Sequence, residues 1–301
     1  MTLLLQAGSL RERVRAATAH ALACGALEPI ATDHRFLEQG EVRFVVRILS
    51  GLARKEAARM QRAAGPGSGS NPFLPYDQDL YVADISDTHV CLLNKFNVME
   101  HHLLMVTRAF EDQEAPLTLS DFEALWVCLG EMEGLAFYNA GAVAGASQPH
   151  KHLQMVALPL APEGPAVPIE PLLAHSAGGE APFGWVPALP FGHAFARFGQ
   201  AAGRPARELA RESLEHYRAM LGAFGLWTHD DEAPAPYNLL VTRKWMLLVP
   251  RGREFFHGVG VNALGFAGAL LVRNEQELAT LERYGPMTAL ARVGVARHRW
   301  R

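Results

Sequence analysis

The chain has 301 residues, 49% of them hydrophobic and 20% charged, which is enough apolar side chain for one large core or two packed lobes. A formal net charge of -3 excludes a protein that coats nucleic acid by bulk charge, yet leaves room for a local basic pocket around phosphates. No segment approaches the roughly 20 apolar residues of a membrane span; the nearest, 259–272, is interrupted by Asn262 and by glycines.

Met1 to Leu5 is too short an apolar stretch for a secretory signal, and Arg11, Arg13 and Arg15 follow in a helical pattern. Cys24, Cys91 and Cys128 lie far apart and read as buried thiols in a reducing compartment, so a cytoplasmic location is expected. Residues 63–72, rich in glycine, serine and proline, predict a mobile loop suited to a lid. The stretches 80–94 and 102–107 predict paired strands. Ser120-Asp121-Phe122-Glu123 reads as a capping box. Phe122, Leu125, Trp126, Leu129, Met132 and Leu135 then recur at helical spacing, predicting a helix from Asp121 toward Tyr138 with a core-facing stripe.

Residues 161–190 are rich in proline and glycine and predict an irregular surface connection. Pro205, with Leu209, Leu214, Tyr217 and Leu221 on one face, signals a second helix. Residues 237–242 and 245–250 read as a hairpin, and Asn274-Glu275-Gln276-Glu277 caps a last helix carrying Leu278 and Leu281. Trp245 to Arg251 weakly echoes His101 to Arg108, which points to two related halves.

The most informative segment is 145–156. His150, His152 and Gln154 alternate into an apolar run, and in a strand such residues share a face at a spacing of roughly 6.6 Å. Leu153, Met155 and Ala157 take the other face, toward a core. Gly145, Ala146 and Ser147 precede them and let backbone amides approach an anion. Two plainer readings compete: a metal half-site, in a chain with three scattered cysteines and no Cys-x-x-Cys pair, or two solvated histidines on an exposed strand face.

His-x-His-x-Gln followed by apolar residues resembles the motif of the transferase branches of the histidine triad superfamily. Leu93-Asn94-Lys95-Phe96-Asn97, the run from Glu100 to Thr107, Phe137-Tyr138-Asn139 and the run from Asn262 to Gly268 extend the likeness. Within that superfamily the chain is similar to the ATP adenylyltransferase, or diadenosine tetraphosphate phosphorylase, family. The resemblance implies an α+β, histidine-triad-like fold: two related halves with mainly antiparallel sheet and packed helices. It implies an N-terminal catalytic part over 1–195 and a C-terminal part over 196–301, packed as one unit.

The resemblance further implies that His152 is a nucleophile forming an adenylyl-histidine on a diadenosine polyphosphate, with His150 in support. Gln154 occupies the place of the hydrolases' third histidine. An amide cannot shuttle a proton near neutral pH, which favours an acceptor already ionised, such as phosphate or sulfate, over water. Substrate contacts carry over onto Lys55, Asn94, Lys95, Asn139, Gly145, Ala146, Ser147, Gln148, Asn262, Ala263, Leu264 and Arg273. Arg273 stands where the family can have lysine, and Pro149 where it can have an acidic residue. The implied partners are diadenosine tetraphosphate, ATP, ADP and phosphate, with a divalent cation, Mg2+, accompanying the nucleotide. No protein metal ligands, organic cofactor, nucleic acid or membrane are expected, and monomer and homo-oligomer stay open. A hexose-1-phosphate uridylyltransferase and a non-catalytic dinucleotide-binding protein are the alternative readings.

Overall fold

The structure, a computed structural model, describes residues 1–50, 71–176, 183–226 and 233–297. The N-terminal part runs through α1 (Leu10–Cys24), β1 (Thr32–Gln39), β2 (Val42–Leu49), β3 (Tyr81–Asp84), β4 (His89–Leu93) and β5 (Leu103–Thr107). It continues with α2 (Leu119–Glu131), β6 (Gly134–Ala140), β7 (His152–Ala157) and the short α3 (Glu170–Leu173). Beyond these lie β8 (Ala194–Arg197), α4 (Ala206–Ala223), β9 (Tyr237–Val241), β10 (Trp245–Pro250), β11 (Phe255–Phe256) and β12 (Val259–Gly260). The last elements are α5 (Ala263–Phe266), β13 (Ala269–Val272), α6 (Glu275–Tyr284) and α7 (Pro286–Val293).

Eight strands form one sheet in the order β3-β4-β5-β7-β6-β9-β10-β8, and every neighbouring pair is antiparallel. Pleating sends alternate side chains to opposite faces. On the first face Leu103, Met105, Ala136, Tyr138, Leu153, Met155, Leu239 and Met246 join one core, with Val14 of α1, Trp126 of α2 and Tyr217 of α4 packed over them. On the second face Leu135, Phe137, Val156, Leu240 and Leu247 join another, covered by α5, α6, α7 and a small sheet ordered β1-β2-β13. Each such buried side chain contributes roughly 1.5–3 kcal/mol, so both layers are needed to hold a strand as apolar as β6. This is the expected α+β architecture.

At the β4–β5 end of the second face a smaller cluster forms from Phe73, Val90, Leu92, Leu104 and Val106. Val106 pairs with His152, Leu104 with Gln154, and Phe137 with Gln154 from the other side. The motif's polar groups therefore fill the seam between two apolar clusters on the same face.

The sequence expectation for 121–138 is corrected. The helix ends at Glu131, and 134–140 is β6, a central strand bonded to β7 and β9. A strand buried on both faces reads as an unbroken apolar run, which a helical template also fits. The capping box is real but starts two residues earlier: Thr118 accepts from the Asp121 amide, and the Asp121 carboxylate accepts from the Thr118 amide. Cys24 is exposed rather than buried, because it is the last residue of α1, where the helix runs out beyond the core contacts of Leu10, Val14 and Ala21; Cys91 and Cys128 are buried free thiols as expected. The predicted hairpin is β9–β10, and Asn274 caps α6 through the Glu277 amide. Of the predicted lid, 63–70 lies outside the described residues. No helix among the described residues is long and apolar enough to cross a membrane.

Candidate active site

His152 opens β7 and is only 3% exposed. Its Nδ1 lies 2.8 Å from the carbonyl oxygen of His150, two residues back. A carbonyl only accepts, so Nδ1 carries the proton and Nε2 keeps the lone pair. Burial pushes the imidazole down to about 4, against the pull of its backbone hydrogen bond, and the ring is neutral at physiological pH. A neutral imidazole with a fixed tautomer is a competent nucleophile. Its burial also removes the reading of a solvated strand face.

His150 is fully buried. Its Nε2 donates to Thr107 O at 2.8 Å, and its Nδ1 accepts from the Asn71 side-chain amide at 2.9 Å. Both ring nitrogens are thus committed, which argues against a metal half-site. Phe73 lies against both imidazoles, with ring centroids 5.6 Å from His150 and 5.3 Å from His152.

Gln113 was not anticipated. The β6–β7 ladder stops at Phe137 opposite Gln154, and beyond that point the Gln113 amide takes the place of a peptide unit. Its Oε1 accepts from the His152 amide at 2.8 Å, and its Nε2 donates to Asn139 O at 2.9 Å and to His152 O at 3.3 Å. The backbone of His152 is held by a side chain 39 residues away.

His102 is the second unanticipated residue. Its Nε2 stands 2.9 Å from Gln154 Oε1 and its Nδ1 3.2 Å from Asn94 Nδ2. Burial lowers this imidazole to about 4, while its bond to Gln154 works the other way. The neutral ring accepts from Asn94 and donates to Gln154. Asn94, expected near phosphate, is therefore tied to the motif through His102.

The other expected contacts lie in different surroundings. Lys95 Nζ pairs with Glu28 Oε1 at 3.2 Å, with both side chains some 40% exposed. Such a pair is worth under about 1 kcal/mol, so little holds the Lys95 ammonium to Glu28. Asn139 is buried in a network: its Oδ1 accepts from Asn238 Nδ2 at 2.8 Å and from the Ala263 amide at 3.0 Å, while Arg251 donates to Asn238 Oδ1 at 2.6 Å. Burial draws Arg251 down to about 10, yet it stays charged. Asn238 and Arg251 were missed, and the polar residue within the apolar β9 run was their one signal.

The small-residue loop is corrected in one respect. The Gly145 and Ala146 amides are used inside it, donating to Ala142 O and Gly141 O, so these two do not face an anion. Ser147 is exposed and Gln148 half-buried. Gly145 has φ +92°, and a Cβ there would sit 2.9 Å from the Asn262 Cβ. That contact brings the loop against Asn262, Ala263 and Leu264, where Asn262 Oδ1 caps α5 through the Leu264 amide. Arg273 is engaged by Glu277 at 2.7 Å and by Gly258 O at 2.9 Å rather than by β7. Lys55 lies outside the described residues.

Behind the motif, Lys151 is 1% exposed, with Nζ 2.6 Å from Glu111 and 3.5 Å from Asp121. Asp121 also accepts from His89 Nε2 at 3.0 Å. Burial alone would raise this carboxyl, but the His89 hydrogen bond and the Lys151 charge outweigh it and hold the group below its ordinary range. The residue between the two motif histidines thus anchors the strand to α2.

The family models that match this chain define its class, a nucleotidyltransferase. The family model of the Ap4A phosphorylase N-terminal domain matches residues 1–175, and that of the ATP adenylyltransferase C-terminal domain matches residues 187–296. The chain belongs to the Ap4A phosphorylase family. Diadenosine 5',5'''-P1,P4-tetraphosphate phosphorylase 2 of Saccharomyces cerevisiae is 30% identical over 239 residues, covering 70% of this chain and 71% of the relative. Protein APA1 of the same yeast is 29% identical over 203 residues, covering 62% and 61%. The crystal structure of yeast Ap4A phosphorylase Apa2 superposes with a TM-score of 0.77 at 24% identity, covering 95% of this chain and 97% of that one. Its complex with Ap4A gives 0.78 at 23% identity over the same shares.

Proposed function

We propose that this enzyme phosphorolyses diadenosine 5',5'''-P1,P4-tetraphosphate to ATP and ADP, reversibly, through an adenylyl-histidine on His152. The observation that carries the reading is the neutral His152 ring with Nδ1 donating to His150 O, which leaves Nε2 as the attacking atom. Nε2 bonds to the α-phosphorus as the bond from phosphorus to the bridging oxygen breaks, and ATP departs with that oxygen. A phosphate oxygen then attacks the same phosphorus, the P–N bond breaks, and ADP leaves. Two in-line displacements give net retention at phosphorus. As the first bond forms, the Nδ1 proton stays on the imidazole, and His150 O steadies the positive charge that develops.

The Gln154 amide suits this acceptor, since phosphate arrives ionised and needs no base. Sulfate fits the same requirement. The matched family models and the two yeast relatives support adenylyl over uridylyl transfer. Mg2+ is proposed to travel with the nucleotide: the cluster of potential protein ligands found among the described residues, His20, Cys24 and Asp79, does not lie on β7, and no step is assigned to the ion.

Incubation with diadenosine tetraphosphate, with and without phosphate, tests the reading. Phosphate-dependent formation of equal ATP and ADP is expected, and acid-labile AMP should be trapped on the wild-type protein but not on His152→Ala. Retained turnover in His152→Ala removes the assignment.

A further inference from the structure

On the outer face of α1, away from the motif, His20 and Cys24 stand one helical turn apart, where i and i+4 side chains are neighbours. Asp79, in the 3-10 turn Gln78–Leu80 that leads into β3, reaches the same spot. His20 Nε2 is 2.7 Å from Asp79 Oδ1 and 4.0 Å from Cys24 Sγ, and one donor atom from each of the three falls within 4.8 Å of the others. We propose that His20, Cys24 and Asp79 form a Zn2+ site that clamps the end of α1 to the turn before β3.

Three arguments carry this. Thiolate, imidazole and carboxylate together are the donor set of a borderline ion such as Zn2+, and not of Mg2+ or Ca2+. Zinc bonds of roughly 2.0–2.3 Å require donor separations of about 3.3–3.8 Å in a tetrahedron, and the observed distances bracket that range. All three side chains are exposed, so the short His20–Asp79 contact can open and the thiol can close in by rotamer changes alone.

Three protein ligands leave a fourth position, which faces solvent and takes water. Binding releases the Cys24 thiol proton to solvent. α1 packs on the first face of the large sheet, whereas His152 lies on the second, so the ion's part is structural.

Co2+ is the probe, added to full-length protein freed of metal by a chelator and kept in a non-thiol reductant. One Co2+ per chain should bind with a thiolate-to-metal charge-transfer band, Zn2+ should displace it, and Zn2+ should raise the Tm. Cys24→Ser should lose the band, and His20→Ala and Asp79→Asn should bind Co2+ at least tenfold more weakly, all with unchanged far-ultraviolet circular dichroism and phosphorolysis. Absence of the band overturns the site. So does a band that survives Cys24→Ser, since Cys91 or Cys128 would then be the ligand, or equal Co2+ binding by His20→Ala.

Discussion

His102 Nε2 lies 2.9 Å from Gln154 Oε1, so a histidine outside the motif decides which end of the motif's amide faces the substrate side. With the oxygen committed, the Gln154 NH2 group is the end that the proposed reaction would turn to a phosphate oxygen. His102→Ala should free the amide to rotate and lower kcat/KM by about 10- to 100-fold, the scale of a lost supporting partner, with the thermal midpoint nearly kept. A change under twofold would show that Gln154 needs no such guide.

The acid limb of activity should lie far below the usual histidine range. Since burial holds His152 at about 4, the nucleophile stays unprotonated down to that pH, and kcat/KM, which reports the free enzyme, should fall with an apparent pKa near 4 rather than 6.5. Rates taken in short assays, with folding checked by circular dichroism, locate the limb. A midpoint near 6.5 would contradict the buried neutral ring.

Stability should respond over the same window. His102, His152 and His193 are each drawn down to about 4 by burial, from 6.5 in the unfolded chain. Between those values the unfolded state binds more protons, so stability is fully present above 6.5 and is lost as pH falls toward 4. Each ring contributes up to about 1.4 kcal/mol per pH unit in that interval. Urea midpoints at several pH values measure the slope. His193→Gln should flatten it without touching the motif, because its ring bridges Phe191 O and the Val186 amide, away from β7.

Gln113→Leu removes three hydrogen bonds at a buried site and leaves the His152 amide and Asn139 O without partners. A destabilisation of about 2–4 kcal/mol is expected, with kcat falling more than KM changes, as the nucleophile's backbone loses its register. Equal kcat in a folded Gln113→Leu protein would refute the positioning role.

Gly145→Ala combines a left-handed φ of +92° with a Cβ 2.9 Å from that of Asn262. It should cost about 1–3 kcal/mol and push the loop off α5, raising the KM for dinucleotide. Thermal melting and steady-state kinetics on one preparation separate the two effects.

The motif strand was legible because polar residues at period 2 inside an apolar run mark one face of a strand, and Leu153 and Met155 do face a core. The α4 helix and the β9–β10 hairpin were legible from spacing and turn chemistry. β6 was not: buried on both faces, it carries no alternation to distinguish it from a helix. Gln113 and His102 were hidden for a different reason, since their partners lie 39 and 52 residues away and the fold alone creates the contact. Asn139 read as a substrate contact from its neighbours in sequence, whereas the space it occupies is decided by Asn238 on the next strand.

The pairing of β6 with β9 has a practical outcome for anyone cutting this polypeptide in two. The segments matched by the two family models, 1–175 and 187–296, supply five and three strands of one continuous sheet, joined along Ala136–Ala140. Expressed separately, each fragment would present a long, apolar, unpaired border to solvent, the feature that drives strand-to-strand aggregation. The halves are separable as text and inseparable as material, so truncation is the wrong tool for asking what either one contributes.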